Sequence, residues 1–235
     1  MSLATQVVEL GYAVLAEGLT AAEMDSVLQE IEGLDPIVRT AGHGGVRDVF
    51  RRCPPLRSLV THSAVRAAVE AVVGQGAFAV RGVLFDKHAD ANWKVPWHQD
   101  LTVAVRRKVP TNGYGPWSEK AGLPHVQLPT EVLERMLTVR IHLDDCDSSN
   151  GAVRVLPGSH LAGRLTDLEL ASWSRAVQPV TCSVSRGGLL VMRPLLVHAS
   201  SAATIPTRRR VLHLDFTSGT LAAGLEWSEQ WRCAA

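Results

Sequence analysis

The sequence predicts an α+β chain that is mainly β and is built on a β-sandwich or jelly roll. Helical spacing of apolar residues is confined to the first 76 residues. The remainder carries short β-branched or apolar runs separated by Gly, Pro, Asn and Ser. Helices first and then many short strands are typical of an α+β chain whose body is packed β-sheet. The length of 235 residues suits one domain with one buried core.

Two helices are predicted in the N-terminal part. The first begins at Thr20, which forms a capping box with Glu23 three residues later. Apolar residues then follow at helical spacing: Met24, Val27, Leu28 and Ile31. The second helix begins at Ser63 and ends before Gly74, a residue type that commonly terminates helices. We expect both helices to pack on the outside of the β core.

Five later runs are predicted to be strands, because they are rich in β-branched or apolar residues and are bounded by turn residues. They cover residues 77–86, 138–144, 151–156, 188–197 and 209–216. We therefore treat 1–235 as a single domain, with helical N-terminal support over 1–76 and a jelly-roll core over 77–235.

The stretch 106–130 is predicted to be a long irregular loop. Turn-forming residues interrupt it at Pro110, Gly113, Gly115, Pro116 and Gly122. Long loops in compact domains are commonly functional. This one carries Trp117, Lys120 and His125, which give it apolar and cationic groups. We predict that it is a lid whose three side chains contact the substrate.

Composition and charge exclude several classes of function. The net charge of +1 gives no support for nucleic acid or an anionic membrane surface as a partner. No apolar run is long enough to span a bilayer, and the N-terminus lacks the pattern of a signal peptide. The four cysteines are scattered without a C-x-x-C pair. They indicate reduced thiols in a cytoplasmic protein.

The pair His98 and Asp100 is the first candidate for chemistry. Two residues apart on an extended strand, both side chains leave the same face and could hold one metal ion. His198, far downstream, is the natural third ligand. Two imidazoles and a carboxylate form the facial triad of non-haem Fe(II) oxygenases. A bare H-x-D pair also occurs by chance at solvated strand ends, so the metal interpretation needs independent support.

The second candidate is the arginine run Arg208, Arg209 and Arg210 at the start of a predicted strand. Strand alternation places Arg210 on the face of Leu212, whereas Arg209 shares the more polar face with His213. An arginine on that face could bind a carboxylate through two parallel hydrogen bonds. Ser200 follows His198 by two residues and could donate to the same carboxylate.

These residues belong to an ordered set of motifs that resembles the phytanoyl-CoA dioxygenase family of Fe(II)- and 2-oxoglutarate-dependent oxygenases. The match runs from about Val83 to Phe216, and an arginine eleven residues beyond the distal histidine completes it. The motifs are Asn92–Asp100, Arg140–Asp145, Asn150–Gly151, Leu156–His160 and His198–Ser200.

The resemblance implies a double-stranded β-helix, which is the cupin-like form of the jelly roll. It implies that His98, Asp100 and His198 hold the iron. It also implies that Arg209 binds the distal carboxylate of 2-oxoglutarate with help from Ser200. Lys87 lies on the strand that approaches the cosubstrate in similar proteins. His142 is a further candidate to line the pocket or orient a ligand, and Arg140, on the same predicted face, is a candidate substrate contact.

The implied reaction uses dioxygen and 2-oxoglutarate, hydroxylates an unactivated C–H bond of a small-molecule substrate and releases succinate and CO2. Asp100 fills the position that related halogenases leave open for halide, which favours hydroxylation, although desaturation and ring formation remain open. The cationic candidates allow an anionic substrate. The sequence assigns neither the substrate nor the oligomeric state.

Two alternatives remain open. One is a cupin-like metalloenzyme that does not use 2-oxoglutarate, which would have no need for Arg209 as a carboxylate clamp. The other is a jelly-roll module that has lost catalysis and only binds a partner, which does not explain the intact set of ligands.

Overall fold

Antiparallel strands form the body of the protein, and a computed structural model describes residues 1–34, 45–205, 207–222 and 224–233. The α-helices in these ranges are α1 Leu3–Glu9, α2 Ala21–Glu32, α3 Val49–Arg52, α4 Ser58–Thr61, α5 Ser63–Val73, α6 Thr130–Leu133 and α7 Asp167–Ala176. The strands are β1 Tyr12–Leu15, β2 Val46–Arg47, β3 Phe78–Lys87, β4 Val95–His98, β5 Thr102–Ala104, β6 Trp117–Lys120, β7 Leu123–Gln127, β8 Leu137–His142, β9 Val153–Val155, β10 Val180–Thr181, β11 Leu189–Met192, β12 His198–Ser200, β13 Arg209–Thr217 and β14 Trp231–Arg232.

The two predicted helices are confirmed. The capping box at α2 is complete, because Glu23 N–H donates to the Thr20 hydroxyl and Thr20 N–H donates to the Glu23 carboxylate. Helix α5 ends at Gly74, whose φ of 94° is the left-handed conformation that glycine adopts without strain. None of the described helices combines the length and the apolar composition that a membrane span requires.

The larger sheet has the order β1-β11-β8-β13-β3-β14, and β2 pairs with β3 at its side. Strand β13 lies in the middle and is buried along its whole length. Apolar side chains on one face of this sheet form a single core with the helices, which confirms that the helices pack outside the β core. Leu212, Leu214 and Phe216 of β13 belong to this core, together with Ile31, Val65 and Val69 of the helices.

The smaller sheet has the order β10-β9-β12-β4. Aliphatic side chains of β11 and β9, among them Leu190, Met192, Val153 and Val155, form a core between the two sheets. Polar side chains from both sheets occupy the remaining space, where they line a cavity. This arrangement of two packed antiparallel sheets is the predicted jelly roll.

The prediction of an irregular loop over 106–130 is wrong for its second half. Strands β6 and β7 form a hairpin, and β7 pairs with β5 to make a third sheet. Ala121 and Gly122 join the hairpin with φ values of 52° and 76°. Two positive φ angles are the requirement of a tight two-residue turn, for which Asn-Gly is the usual sequence. Alanine is an unusual first residue there, so the sequence carried little signal for this turn.

The N-terminal support is also less purely helical than predicted. Strand β1 pairs with β11 at the edge of the larger sheet, and β2 pairs with β3. The predicted strand 188–197 is shorter than expected, because β11 ends at Met192 and Pro194 follows within two residues. Proline has no N–H to donate to a neighbouring strand, so it interrupts the ladder.

Candidate active site

Two neighbouring strands of the smaller sheet carry the predicted histidine ligands. His98 ends β4 and His198 begins β12, directly opposite it in the antiparallel pair. Asp100 lies just beyond β4, where its N–H donates to the carbonyl of Pro194 at 2.9 Å. Its two oxygens lie 3.9 Å from Nε2 of His98 and 3.6 Å from Nε2 of His198. Ligand atoms of all three residues lie within 4.8 Å of one another, which allows one metal ion to contact all three.

Hydrogen bonds orient both histidine rings with Nε2 toward this point. Nδ1 of His98 donates to the carbonyl of Pro96, and Nδ1 of His198 donates to the carbonyl of Leu196, each at 2.9 Å. A carbonyl oxygen can only accept, so the proton lies on Nδ1 and Nε2 keeps its lone pair. Burial and the neighbouring His98 also lower the pKa of His198 to about 3. The rings therefore present the tautomer that a metal ligand needs.

The carboxylate of Asp100 is held in its ionised form. Burial alone would raise its pKa, but the imidazoles around it when they are protonated, together with the permanent charge of Arg81, outweigh that effect and hold the pKa well below its usual range. The histidines concerned are His198, His213 and His98. The site thus combines two imidazole nitrogens and one anionic oxygen.

A buried polar network, absent from the predicted site, supports Asp100 from the larger sheet. Nε2 of His213 lies 3.8 Å from Asp100 and 3.0 Å from Asp215. Arg140 donates to Nδ1 of His213 at 3.0 Å, so the ring proton lies on Nε2 and is donated to Asp215. Arg81 donates to the other oxygen of Asp215 at 3.1 Å. These contacts fix the His213 ring beside the metal ligand.

Arg209 faces the cavity, as the alternation along β13 predicted. Its two neighbours point elsewhere and have carboxylate partners: Arg208 pairs with Asp86, and Arg210 donates to both oxygens of Asp144. The side chain of Arg209 is buried, and its Nε has no hydrogen-bond partner among the described residues. A buried donor without a partner indicates a place for an acceptor that the chain itself does not supply.

Lys87 and Ser200 lie beside Arg209, so the structure brings together the three residues predicted for the cosubstrate. Lys87 on β3 is directly opposite Arg209 on β13. Its ammonium donates to the Ser200 hydroxyl at 3.2 Å and to the Ser201 carbonyl at 3.1 Å. Burial, together with the charges of Arg209 and Arg140, lowers the pKa of Lys87 to about 8. This end of the cavity is therefore short of negative charge.

His142 is fully buried in the wall behind this end. It lies opposite Val211 on β13, and neither ring nitrogen has a hydrogen-bond partner among the described residues. Burial, Arg140 and Arg209 lower its pKa well below the usual value, so the ring is neutral. His142 is not among the residues that line the cavity, and its role as a pocket residue stays a prediction.

A cavity of about 340 Å³ connects the triad with these cationic groups. Both sheets contribute to its walls. Among the described lining residues Asp100 is the one carboxylate, whereas seven are lysine or arginine: Arg47, Arg81, Lys87, Lys94, Lys120, Arg140 and Arg209. The cavity is strongly positive and suits anionic ligands.

The residues of the predicted lid do not all lie at the cavity. Lys120 lines the cavity, as does Arg140, the substrate candidate outside the lid; contact of either with a substrate stays a prediction. Trp117 packs instead on the apolar cluster around Val126, with the ammonium of Lys108 over its ring. His125 is buried and donates to the carbonyl of Leu123. Alternate residues of a strand point to opposite faces, which separates Trp117 from Lys120. His125 pairs with Ser118, on the face of Lys120, and lines the small cavity that adjoins the main one.

Arg47 and Arg81 are site residues that the sequence analysis missed. The sequence gives only a weak indication that Arg81 belongs to the site, namely a charged residue within the predicted apolar strand 77–86. The indication is stronger for His213 and Asp215, because both share with Arg209 the polar face of β13. For Arg47 the sequence gives no indication, since no feature of it shows that β2 pairs with β3 beside the site.

Several solved structures with the same fold are described as non-haem enzymes. ThoJ, a non-haem monooxygenase, has a TM-score of 0.71 at 20% identity, with 100% of this chain and 84% of ThoJ covered. SnoK, an α-ketoglutarate-dependent carbocyclase of nogalamycin biosynthesis, has a TM-score of 0.68 at 20% identity over 94% and 85%. EctD from S. alaskensis, solved with 2-oxoglutarate and 5-hydroxyectoine, has a TM-score of 0.70 at 17% identity over 92% and 74%. No curated protein matches the sequence.

The fold and the His-Asp-His centre define the class of the protein, and the sequence defines its family. The family model for phytanoyl-CoA dioxygenase matches residues 7–211, and the chain belongs to that family. It is accordingly an enzyme of the iron- and 2-oxoglutarate-dependent oxygenase class, as its motifs predicted.

Proposed function

We propose that this enzyme hydroxylates a C–H bond of a small, anionic substrate with release of succinate and CO2. In this proposal His98, Asp100 and His198 hold Fe(II). The observation that carries it is the set of three ligand atoms within 4.8 Å of one another at one end of a cavity lined by Arg209, whose buried Nε has no hydrogen-bond partner among the described residues.

The donor set fits ferrous iron. Two neutral imidazoles and a carboxylate on one side of the metal are typical of Fe(II) oxygenases and leave positions open for other ligands. The carbonyls of Pro96 and Leu196 keep the two rings in the correct tautomer. His213 supports the carboxylate of Asp100 from behind. When bound, iron and 2-oxoglutarate supply the oxidising chemistry.

The cationic end fits 2-oxoglutarate. Arg209 can donate two parallel hydrogen bonds to the distal carboxylate, and Ser200 can add a third. Lys87 adds positive charge beside them and is held in place by its bonds to Ser200 and Ser201. The neutral ring of His142 is buried behind this end and adds no charge to it. These residues bind and orient the cosubstrate.

Hydroxylation is proposed because Asp100 would fill the coordination position at the iron that a halide would need. Similar folds include a carbocyclase and an epimerase, so the outcome depends on which substrate carbon the pocket presents. The size of the cavity favours a small molecule, since about 340 Å³ is near the lower end of ligand pockets. A cytoplasmic location and the lack of nucleic-acid partners stay predictions.

The test starts without oxygen. Fe(II) and 2-oxoglutarate are titrated into the protein, and formation of their chelate is followed by its visible charge-transfer absorption. Air is then admitted, and succinate is quantified over a panel of small carboxylates and phosphates. We expect chelate formation and substrate-dependent succinate with a product heavier by one oxygen atom. Metal binding without 2-oxoglutarate binding would favour a cupin-like enzyme of another kind, and the absence of both would favour a binding module.

A further inference from the structure

We propose that Arg47, Arg81 and Lys120 form a second anion site, which holds an oxyanion of the primary substrate on the opposite side of the metal centre from Arg209. The oxyanion is a carboxylate or a phosphate group. This inference rests on the proposed function, because it names the substrate class for the same cavity.

The paired strands β13 and β3 give the positions along the cavity. Arg209 lies opposite Lys87, and six residues later Asp215 lies opposite Arg81. At about 3.3 Å per residue these two ends are roughly 20 Å apart along the strands. His213, which contacts Asp100, lies between them. The metal centre therefore lies between the Arg209 end and the Arg81 end.

The three side chains converge at the Arg81 end. Arg47 lies on β2, opposite Val83 of β3, and Lys120 ends β6. All three line the main cavity, and they also line a small adjoining cavity. After burial, the largest contributions that lower the pKa of Lys120 come from Arg47 and Arg81. Three cations from three different strands thus lie close enough to repel one another.

Few partners compensate this charge. Arg81 pairs with Asp215, but its Nε is buried without a hydrogen-bond partner among the described residues. Lys120 donates to the hydroxyl of Thr102. Among the described residues, the side chain of Arg47 has neither a hydrogen bond nor an ion pair. Asp48 and Glu229 line the small adjoining cavity, but among the described residues only Asp215 forms an ion pair with any of the three cations. Asp100 is the one carboxylate among the described lining residues of the main cavity, an arrangement that favours a bound anion.

The iron and its cosubstrate do not remove this excess. Fe(II) carries two positive charges and 2-oxoglutarate two negative ones, and Asp100 is committed to the metal. The second anion site consequently stays positive when iron and 2-oxoglutarate are bound, and the ligand that neutralises it is the substrate. Because the subsite adjoins Asp100 in a small cavity, the oxidised carbon and the oxyanion belong to the same small molecule, a few bonds apart.

The experiment measures anion binding to the protein already loaded with Fe(II) and saturating 2-oxoglutarate under anaerobic conditions. Inorganic phosphate and acetate are titrated separately by calorimetry, with the charge-transfer absorption as a second readout. We expect the wild type to bind at least one of them, and the tighter of the two identifies the oxyanion. Arg47→Gln and Lys120→Gln should each weaken that binding at least about tenfold, the effect of about 1.4 kcal/mol.

The matched control is Arg106→Gln, which removes the same charge from an exposed arginine paired with Glu226. It should leave anion binding unchanged. Equal affinities in all four proteins, or no anion binding to a wild type that forms the chelate, would overturn the subsite and leave the proposed function intact. Anion binding that depends on Arg47 and Lys120 in a protein that forms no chelate would support the subsite and contradict the proposed function.

Discussion

Three consecutive arginines show how surroundings give one residue type different roles. Arg208 and Arg210 have carboxylate partners outside the cavity, whereas Arg209 points into it with an unsatisfied Nε. An ion pair with a partner in the chain contributes to stability. A buried cation without one is available to a ligand, which we propose is a carboxylate of the cosubstrate.

Replacement of these arginines should separate the two roles. Arg209→Ala should weaken 2-oxoglutarate binding by about 2–5 kcal/mol, because a charge-assisted pair is lost. Arg208→Ala should change it little, and Arg210→Ala should mainly lower thermal stability, since Asp144 loses its partner. Titration of 2-oxoglutarate into each anaerobic Fe(II) protein measures the effect. Equal losses at all three positions would contradict the assignment of Arg209.

Lys87 should make 2-oxoglutarate binding pH-dependent. Burial and two arginines lower its pKa to about 8, so it is protonated below that pH and becomes neutral above it. The anionic 2-oxoglutarate binds better when Lys87 is protonated, so its affinity should fall as the pH rises through the pKa of Lys87. The bound anion stabilises the protonated ammonium and raises that pKa in the complex. Lys87→Arg should remove this dependence, because guanidinium stays charged. Lys108→Arg, at an exposed position, is the control, and an unchanged profile in Lys87→Arg would refute the role.

At the scale of elements, the β6–β7 hairpin is the least expected feature. Its pairing with β5 fixes Lys120 at the cavity while Trp117 packs into an apolar cluster. A lid over 106–130 would therefore have to move a sheet and not a free loop. The lid role of this stretch stays a prediction, and residues 106–116 are its irregular part.

Two substitutions in the turn of this hairpin should change the stability of the fold in opposite directions. Gly122→Ala places a side chain at φ 76° and should destabilise the fold by about 1–2 kcal/mol. Ala121→Gly relieves the positive φ at the neighbouring position and should leave stability unchanged or raise it by up to about 1 kcal/mol. Thermal unfolding measures both. Because Lys120 adjoins the turn, Gly122→Ala should also raise KM for the substrate and not for 2-oxoglutarate, and the reverse pattern would argue against the position of Lys120.

At the scale of the whole molecule, the apolar core and the polar site lie on opposite faces of the larger sheet. Helices cover one face with Leu212, Leu214 and Phe216, whereas Arg209 and His213 point from the other into the cavity, and Asp215 bonds to His213. Folding energy comes mainly from the covered face, where apolar area is removed from water. The metal site can therefore be altered without loss of the fold.

Metal removal should leave the protein folded. Fe(II) with 2-oxoglutarate at about 100 times Kd should add about 2.7 kcal/mol of stability, or roughly 5–10 °C in Tm for a domain of this size. His98→Ala, Asp100→Ala and His198→Ala should fold but lose this rise, as followed by thermal unfolding with and without metal. His88→Ala, outside the triad, should keep it. A full rise in any triad variant would contradict the ligand set.

The sequence by itself determined what is local. The capping box at Thr20, the side of β13 that carries Arg209 and the ordered motifs around His98, Asp100 and His198 depend on neighbours within a few residues. Only the tertiary structure decided which strands meet. Whether His198 faces His98, a hundred positions away, and whether Arg47 adjoins Arg81 and Lys120 depend on strand register and core packing. Register is fixed by the combined burial of many apolar side chains, and no short stretch of the chain contains that information.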